Sequence, residues 1–247
     1  MTTEGLQAGI LLPALAAGLL VLLTHVPLGM EVLKRGILFI DLAVAQFAGF
    51  GIVAAHALGA ESHGWRMQAA ALAAALAGAF FLRWREQRDP EHQEAMIGVS
   101  FVAAACATIL VLAKDPHAGE HMRELLVGQI LWTTWTGLAP LAIATGVVLA
   151  LRRWMRTSAL AFYLAFALAI TASVQVVGVY LVFASLIVPA LAARGRTKTG
   201  FLVGVAGYAA GLLASALFDL PAGAAIVLAL VLAAIAASTL ARVRGSS

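Results

Sequence analysis

Residues 159–193 read ALAFYLAFALAITASVQVVGVYLVFASLIVPALAA, an uncharged run of 35 residues. A helix needs roughly 20 apolar residues to cross the hydrocarbon of a bilayer, so the run is too long for one crossing and barely enough for two. Gly178 is its sole obvious turn residue. Two crossings are therefore expected, 159–178 and 179–193, the second short, tilted or partly re-entrant. Working outward, the same reading places spans at 6–27, 36–58, 66–83, 95–113, 129–151, 200–218 and 221–241. The expected fold is an all-α polytopic membrane protein of about nine transmembrane helices (8 to 9), a single membrane domain over 1–247.

Composition agrees. Hydrophobic residues make up 62% of the chain and charged ones 11%, and the mean hydropathy is +0.97, which makes lipid the solvent and leaves no sequence for a soluble domain beside the spans. Met1 to Gly5 carries no basic residue, and Leu6–Leu23 is long enough to span, so a first span is expected rather than a cleavable signal. The single Cys106 excludes a disulfide within the chain.

With the N-terminus outside and the C-terminus cytoplasmic, thirteen of the sixteen Lys and Arg fall on the inner side: Lys34, Arg35, Arg83, Arg85, Arg88, Arg152, Arg153, Arg156, Arg194, Arg196, Lys198, Arg242 and Arg244. Only Arg66, Lys114 and Arg123 stay outside, the bias that orients membrane proteins. The net charge of +4 is thus topological and not a nucleic-acid footprint. Gly204, Gly207, Gly211 and the Ala-rich stretch 69–79 supply the small residues that let helices approach in lipid, and a compact bundle follows.

A charge inside the hydrocarbon costs a few kcal/mol and persists with a partner or in a wet cavity, so intramembrane polar groups mark function. Asp41 is the acid well inside a span, with Gln46 five residues on and on a broadly neighbouring face. Asp41 either pairs with Lys34, Arg35 or water near the inner surface, or lines a transport path. His25 reads as a packed or interfacial histidine.

The outer loop Lys114-Asp-Pro-His-Ala-Gly-Glu-His-Met-Arg-Glu124 opens with Asp115 and Pro116, an N-cap and first-turn pair for a short helix. His117, Glu120, His121 and Glu124 would stand at i, i+3, i+4 and i+7 of that helix, one stripe able to close on a divalent ion, with Asp115 at its start. The alternative is a solvated charged face. The stripe also spells His-x-x-Glu-His, an inverted zinc-peptidase motif, although a short loop without an adjacent domain builds no substrate cleft. No Gly-x-x-x-x-Gly-Lys-Ser/Thr occurs, so the chain cannot cradle nucleotide phosphates and any ATP use belongs to a partner.

At three places the chain resembles the membrane permease subunit of zinc and manganese ABC transporters, the ABC-3 family. These are Pro27-Leu-Gly followed by Lys34-Arg-Gly-Ile-Leu-Phe-Ile-Asp41; the block Val174-Gln-Val-Val-Gly-Val-Tyr-Leu-Val-Phe-Ala-Ser-Leu-Ile-Val-Pro-Ala-Leu-Ala-Ala-Arg194; and Phe218-Asp-Leu-Pro-Ala-Gly223. Glu94-Ala-Met-Ile-Gly98 matches more loosely.

The resemblance implies a non-enzymatic permease in a bacterial cytoplasmic (inner) membrane. It would be a homodimer around a central path that includes Asp41, Gln46 and Gln175. An extracytoplasmic metal-binding protein would deliver zinc or manganese, and a cytoplasmic ATP-binding subunit would drive import. Two departures stand out. Position 45, where family members usually carry His, is Ala. The inner loop that forms the family's coupling helix is shortened to Arg152-Arg-Trp-Met-Arg-Thr-Ser158. An uncoupled or secondary metal carrier on the same scaffold is therefore the alternative, ahead of a membrane metallopeptidase. The residues do not choose among zinc, manganese, iron and nickel.

Overall fold

The structure is a computed structural model, and it describes residues 8–59, 65–113, 126–155 and 157–245. Eight α-helices follow one another among these residues: α1 (Ala8–Arg35), α2 (Ile40–Ala57), α3 (Trp65–Arg88), α4 (Gln93–Leu112), α5 (Ala139–Met155), α6 (Ala159–Ala193), α7 (Thr197–Phe218) and α8 (Ala222–Gly245). Seven are long and apolar enough to cross a membrane, while α5, with 17 residues, is slightly short.

Two boundaries differ most from the sequence expectation, each for a physical reason. The first helix does not stop at residue 27 but runs through Pro27 to Arg35, since one missing backbone donor is tolerated inside a packed membrane helix. The fifth helix was expected from 129 but begins at Ala139, next to Pro140, whose missing N–H suits a first turn. Residues 130–132 form a single 3-10 turn instead.

The uncharged run of the opening is one helical element broken at Gly178, where φ is 77° and ψ 165°. A straight helix of that length would be about 52 Å long, with Phe162 and Ala190 about 42 Å apart. Yet both halves meet the same end of α1. Phe162 lies under the Arg35 guanidinium, 4.3 Å from its ring centroid, while Leu186 and Ala190 pack against Gly29 and Thr197 Oγ1 donates to Met30 Sδ at 3.6 Å. The chain therefore doubles back at Gly178, and what the sequence divides into 159–178 and 179–193 are the two arms of α6.

Cross-links between elements collect the basic clusters at this end. Gln93 donates to Leu82 O (3.0 Å) and Tyr163 OH (3.2 Å), and Glu94 accepts from the Phe39 N–H (3.3 Å), which brings the α1–α2 and α3–α4 turns beside the start of α6. Local ion pairs trim the charge: Arg83 with Glu86 at 3.0 Å, and Arg85 with Asp89 at 3.3 Å. His92 bonds Asp89 at 2.9 Å, a contact that holds the Asp89 carboxyl below its usual range. At the opposite end Val127 meets Gly223, and Gly128 meets Gly178.

All five tryptophans are exposed and terminal, with Trp65, Trp132 and Trp135 at the far end and Trp84 and Trp154 at the basic end. Such girdles sit at the two water interfaces of a bilayer. Small residues make the close crossings. Gly204 lies on Leu22 of α1, Gly207 and Gly211 lie on Leu230 and Ile226 of α8, and Gly51 of α2 lies on Ala70 and Ala74 of α3. Without a hydrophobic force between helices in lipid, this van der Waals contact supplies the association.

Candidate functional site

Asp41 occupies the first turn of α2 at the basic end and is fully buried. Neither of its carboxylate oxygens has a hydrogen-bond partner. The bases the sequence offers are engaged elsewhere: Arg35 and Lys34 approach Glu31 at 3.2 and 3.9 Å. The positive end of the α2 dipole, with the first-turn N–H groups of Asp41 and Leu42 nearby, favours the carboxylate here without closing a hydrogen bond to it. Glu94, in the first turn of α4, lies within electrostatic reach, and its Oε2 is also buried without a partner. The bundle thus keeps unsatisfied acceptors from two helices at one place, an arrangement that costs stability unless a proton or cation occupies it.

At the far end a cavity of about 640 Å³ opens between α2, α3, α4, α5 and the first arm of α6. Its polar groups are His56, Gln68, Gln129, Thr171 and Gln175, and the rest of the lining is apolar or glycine. Thr171 is 4% exposed, and its hydroxyl has no partner. Gln175 Nε2 donates to Thr171 O at 3.2 Å, which leaves its amide oxygen available. The backbone ties the cavity to the break in α6, because the Gln129 N–H donates to Val176 O at 3.3 Å.

The two polar places share α2. Asp41, Ala45, Ala48, Ile52 and His56 succeed one another at steps of four, three, four and four, a single stripe about 22 Å long. Two alanines and Ile52 separate a buried acid at one end from an imidazole at the other.

The sequence-predicted residues fare differently. Gln175 lines the cavity. Gln46 is buried on α2, but at about 140° around the helix from Asp41, and it does not line the cavity. Asp115, His117, Glu120, His121 and Glu124 lie outside the described residues. Among the described residues, no three of His, Cys, Asp and Glu come together as a metal cluster.

His25 is a packed histidine. It is fully buried, with Nδ1 3.0 Å from Val21 O and 2.9 Å from Thr24 Oγ1, and Nε2 3.2 Å from Ser173 Oγ, a bridge from α1 to α6. Sequence reasoning missed His56, Gln68, Thr171 and Gln129 and gave Glu94 no role at the site. For His56 a signal existed: it stands fifteen residues after Asp41, close to a whole number of helical turns.

Comparison with known proteins agrees with this architecture. Residues 7–163 and 154–241 match the family model described as ABC 3 transport family, in two pieces that overlap around the α5–α6 turn. Among solved structures, the chain is similar to PsaBC from Streptococcus pneumoniae in complex with Fab, at 19% identity and TM-score 0.74, covering 95% of this chain and 93% of that one. It is also similar to an ABC transporter classed as metal-chelate type, in an inward-facing conformation. That match has 13% identity and TM-score 0.56, covering 92% of this chain and 77% of the other.

Proposed function

Because the chain belongs to the ABC 3 transport family, we propose that it forms the translocation path of an importer for a divalent metal ion, zinc or manganese first. A separate cytoplasmic ATPase would drive it, and an extracytoplasmic metal-binding protein would supply it. The observation that carries this reading is Asp41, a carboxylate buried in an apolar bundle with both oxygens unpartnered. Such a group is retained at a cost in stability and serves a passing cation. Two copies around a shared path, in a bacterial cytoplasmic membrane, complete the proposal.

We further propose nine crossings with the N-terminus outside. The doubling back of α6 supports an odd number of passes, and the gathering of basic clusters at one end supports a cytosolic face there. Cysteine labelling tests it. In a Cys106→Ala background, a membrane-impermeant maleimide is expected to label Trp135→Cys in intact cells and Trp154→Cys only after permeabilisation. The reverse pattern overturns the orientation.

Metal accumulation tests the function. Cells lacking the protein are expected to hold less zinc or manganese, with wild type restoring it. His117→Ala with His121→Ala is expected to lower uptake several-fold when metal is scarce and little when it is abundant. Unchanged uptake at scarce metal would return that loop to a solvated face.

A second reading has its own observation. Only three residues, 156–158, separate α5 from α6. A turn of that size carries no docking helix, which favours a carrier uncoupled from ATP. Absence of a P-loop subunit after mild solubilisation and affinity capture, with uptake that follows an ion gradient, would favour it.

A further inference from the structure

Charge is divided unevenly around the basic end. Between residues 31 and 94 five bases share that end with six acids, Glu31, Asp41, Glu86, Asp89, Glu91 and Glu94. From residue 125 onward the end carries eight bases and no acid, because the one acid in that half of the sequence, Asp219, caps the opposite end of α7. The acids outside the described residues precede α1 or follow α2 and α4, where those helices have reached the opposite end.

The two halves also differ in what their bases touch. In the first, Arg35, Arg83 and Arg85 are half-buried and paired with Glu31, Glu86 and Asp89 at 3.2, 3.0 and 3.3 Å. In the second, Arg152, Arg153, Arg194, Arg196 and Lys198 are all exposed, and none of them has an ion pair among the described residues. A bias that served only to orient the chain would count bases without regard to their partners. Here pairing is confined to one half and withheld from the other.

The unpaired bases stand at the level of a membrane surface. Phe162, just after the α5–α6 turn, lies under Arg35, and Thr197, just after the α6–α7 turn, donates to Met30, so both turns are pinned to the last turns of α1. Trp154, next to Arg153, is 63% exposed. One turn into α6 and α7 from the second cluster, Leu191 and Leu202 are 58% and 72% exposed. Exposed bases above exposed leucines meet a phosphate and its acyl chains together, whereas a water-soluble partner would reach only the bases.

We infer that the acid-free half of the basic end is a binding surface for anionic phospholipid headgroups, with Arg152 and Arg153 on α5 and Arg194, Arg196 and Lys198 around the α6–α7 turn facing the phosphates. Anionic headgroups attract bases held at the bilayer surface, and a base already paired within the protein has little left to offer them. The inference is independent of which cargo crosses the bundle and in which direction.

In the test, full-length protein in mild detergent is equilibrated with equal amounts of phosphatidylglycerol and phosphatidylcholine and repurified, and the retained phospholipid is counted by mass spectrometry. Phosphatidylglycerol is expected to be retained about threefold over phosphatidylcholine, and the preference should fall by about half in Arg152→Gln with Arg153→Gln and in Arg196→Gln with Lys198→Gln. Arg152→Lys with Arg153→Lys should keep it, which separates lost charge from a damaged fold. Arg85→Gln with Arg88→Gln removes as many bases from the paired half and should keep it too. No preference in the wild type, loss in the lysine pair, or an equal loss in the Arg85 and Arg88 variant would overturn the inference.

At matched ionic strength, inorganic phosphate and chloride should release the lipid alike, and selective release by phosphate would mean a site for the free anion instead. An acidic protein that co-purifies in stoichiometric amount and is lost from both glutamine pairs, with no lipid preference, would make the same face a protein interface, and the lipid assignment would fall.

Discussion

Asp41→Asn is expected to abolish metal uptake while raising the thermal stability of the protein. The exchange keeps shape and volume and removes only the charge. The native carboxyl is fully buried with no side-chain partner on either oxygen, so its ionised form carries a desolvation cost, on the order of 1–3 kcal/mol, that the amide does not. Transport responds in the opposite direction, because an amide cannot balance a divalent cation in an apolar bundle. Uptake should fall to the background of cells without the protein, at unchanged membrane abundance. Thermal unfolding of the detergent-solubilised protein, followed by size exclusion, reports stability, and isotope uptake reports function. Full uptake by the variant would remove Asp41 from the path. A drop in stability would mean that the carboxylate has a structural partner.

Gly178→Ala is expected to be the most damaging single methyl group in the chain. Its φ of 77° with ψ 165° lies in a region open essentially to glycine. A Cβ there would also run into the backbone of Val127 and Gly128, which closes over the break. Strain and displacement together should cost roughly 2–4 kcal/mol. Because both arms of α6 pack on α1, the expected result is misfolded protein rather than a slower transporter. Gly128→Ala, at φ 70° and against the same contact, should behave alike. Gly98→Ala is the control, since a Cβ at that position meets nothing within 4 Å, and it should be neutral or slightly stabilising. Normal yield of folded Gly178→Ala protein would show that the reversal does not depend on the glycine.

The helices were legible because lipid imposes a minimum apolar length that a sequence cannot hide. The near-coincidence of 200–218 with α7 and of 95–113 with α4 reflects that constraint. Where the reading slipped, a local cue competed with packing. Pro27 looks like an end but sits inside α1, and the 130–138 stretch looks like the start of a span but forms turns before α5 begins at Ala139. Asp41 was legible as an intramembrane acid, yet its lack of a partner was not, since Lys34 and Arg35 stand near it in sequence and turn to Glu31 in space. The cavity was opaque for a topological reason. His56, Gln68, Gln129 and Gln175 come from separate segments and meet only after five helices pack.

The two tryptophan girdles set a physical length. On α3, Trp65 and Trp84 stand nineteen residues apart, about 28 Å along the helix axis. That separation matches a hydrocarbon slab of about 30 Å with little room to spare. The protein is therefore matched to one bilayer thickness. In a slab several Å thicker, its indole rings would be pulled below the headgroups or the lipid around it would have to thin, each at fractions of a kcal/mol per Å. Acyl-chain length of the host membrane thus becomes a determinant of how upright, and how firmly packed, this bundle stands.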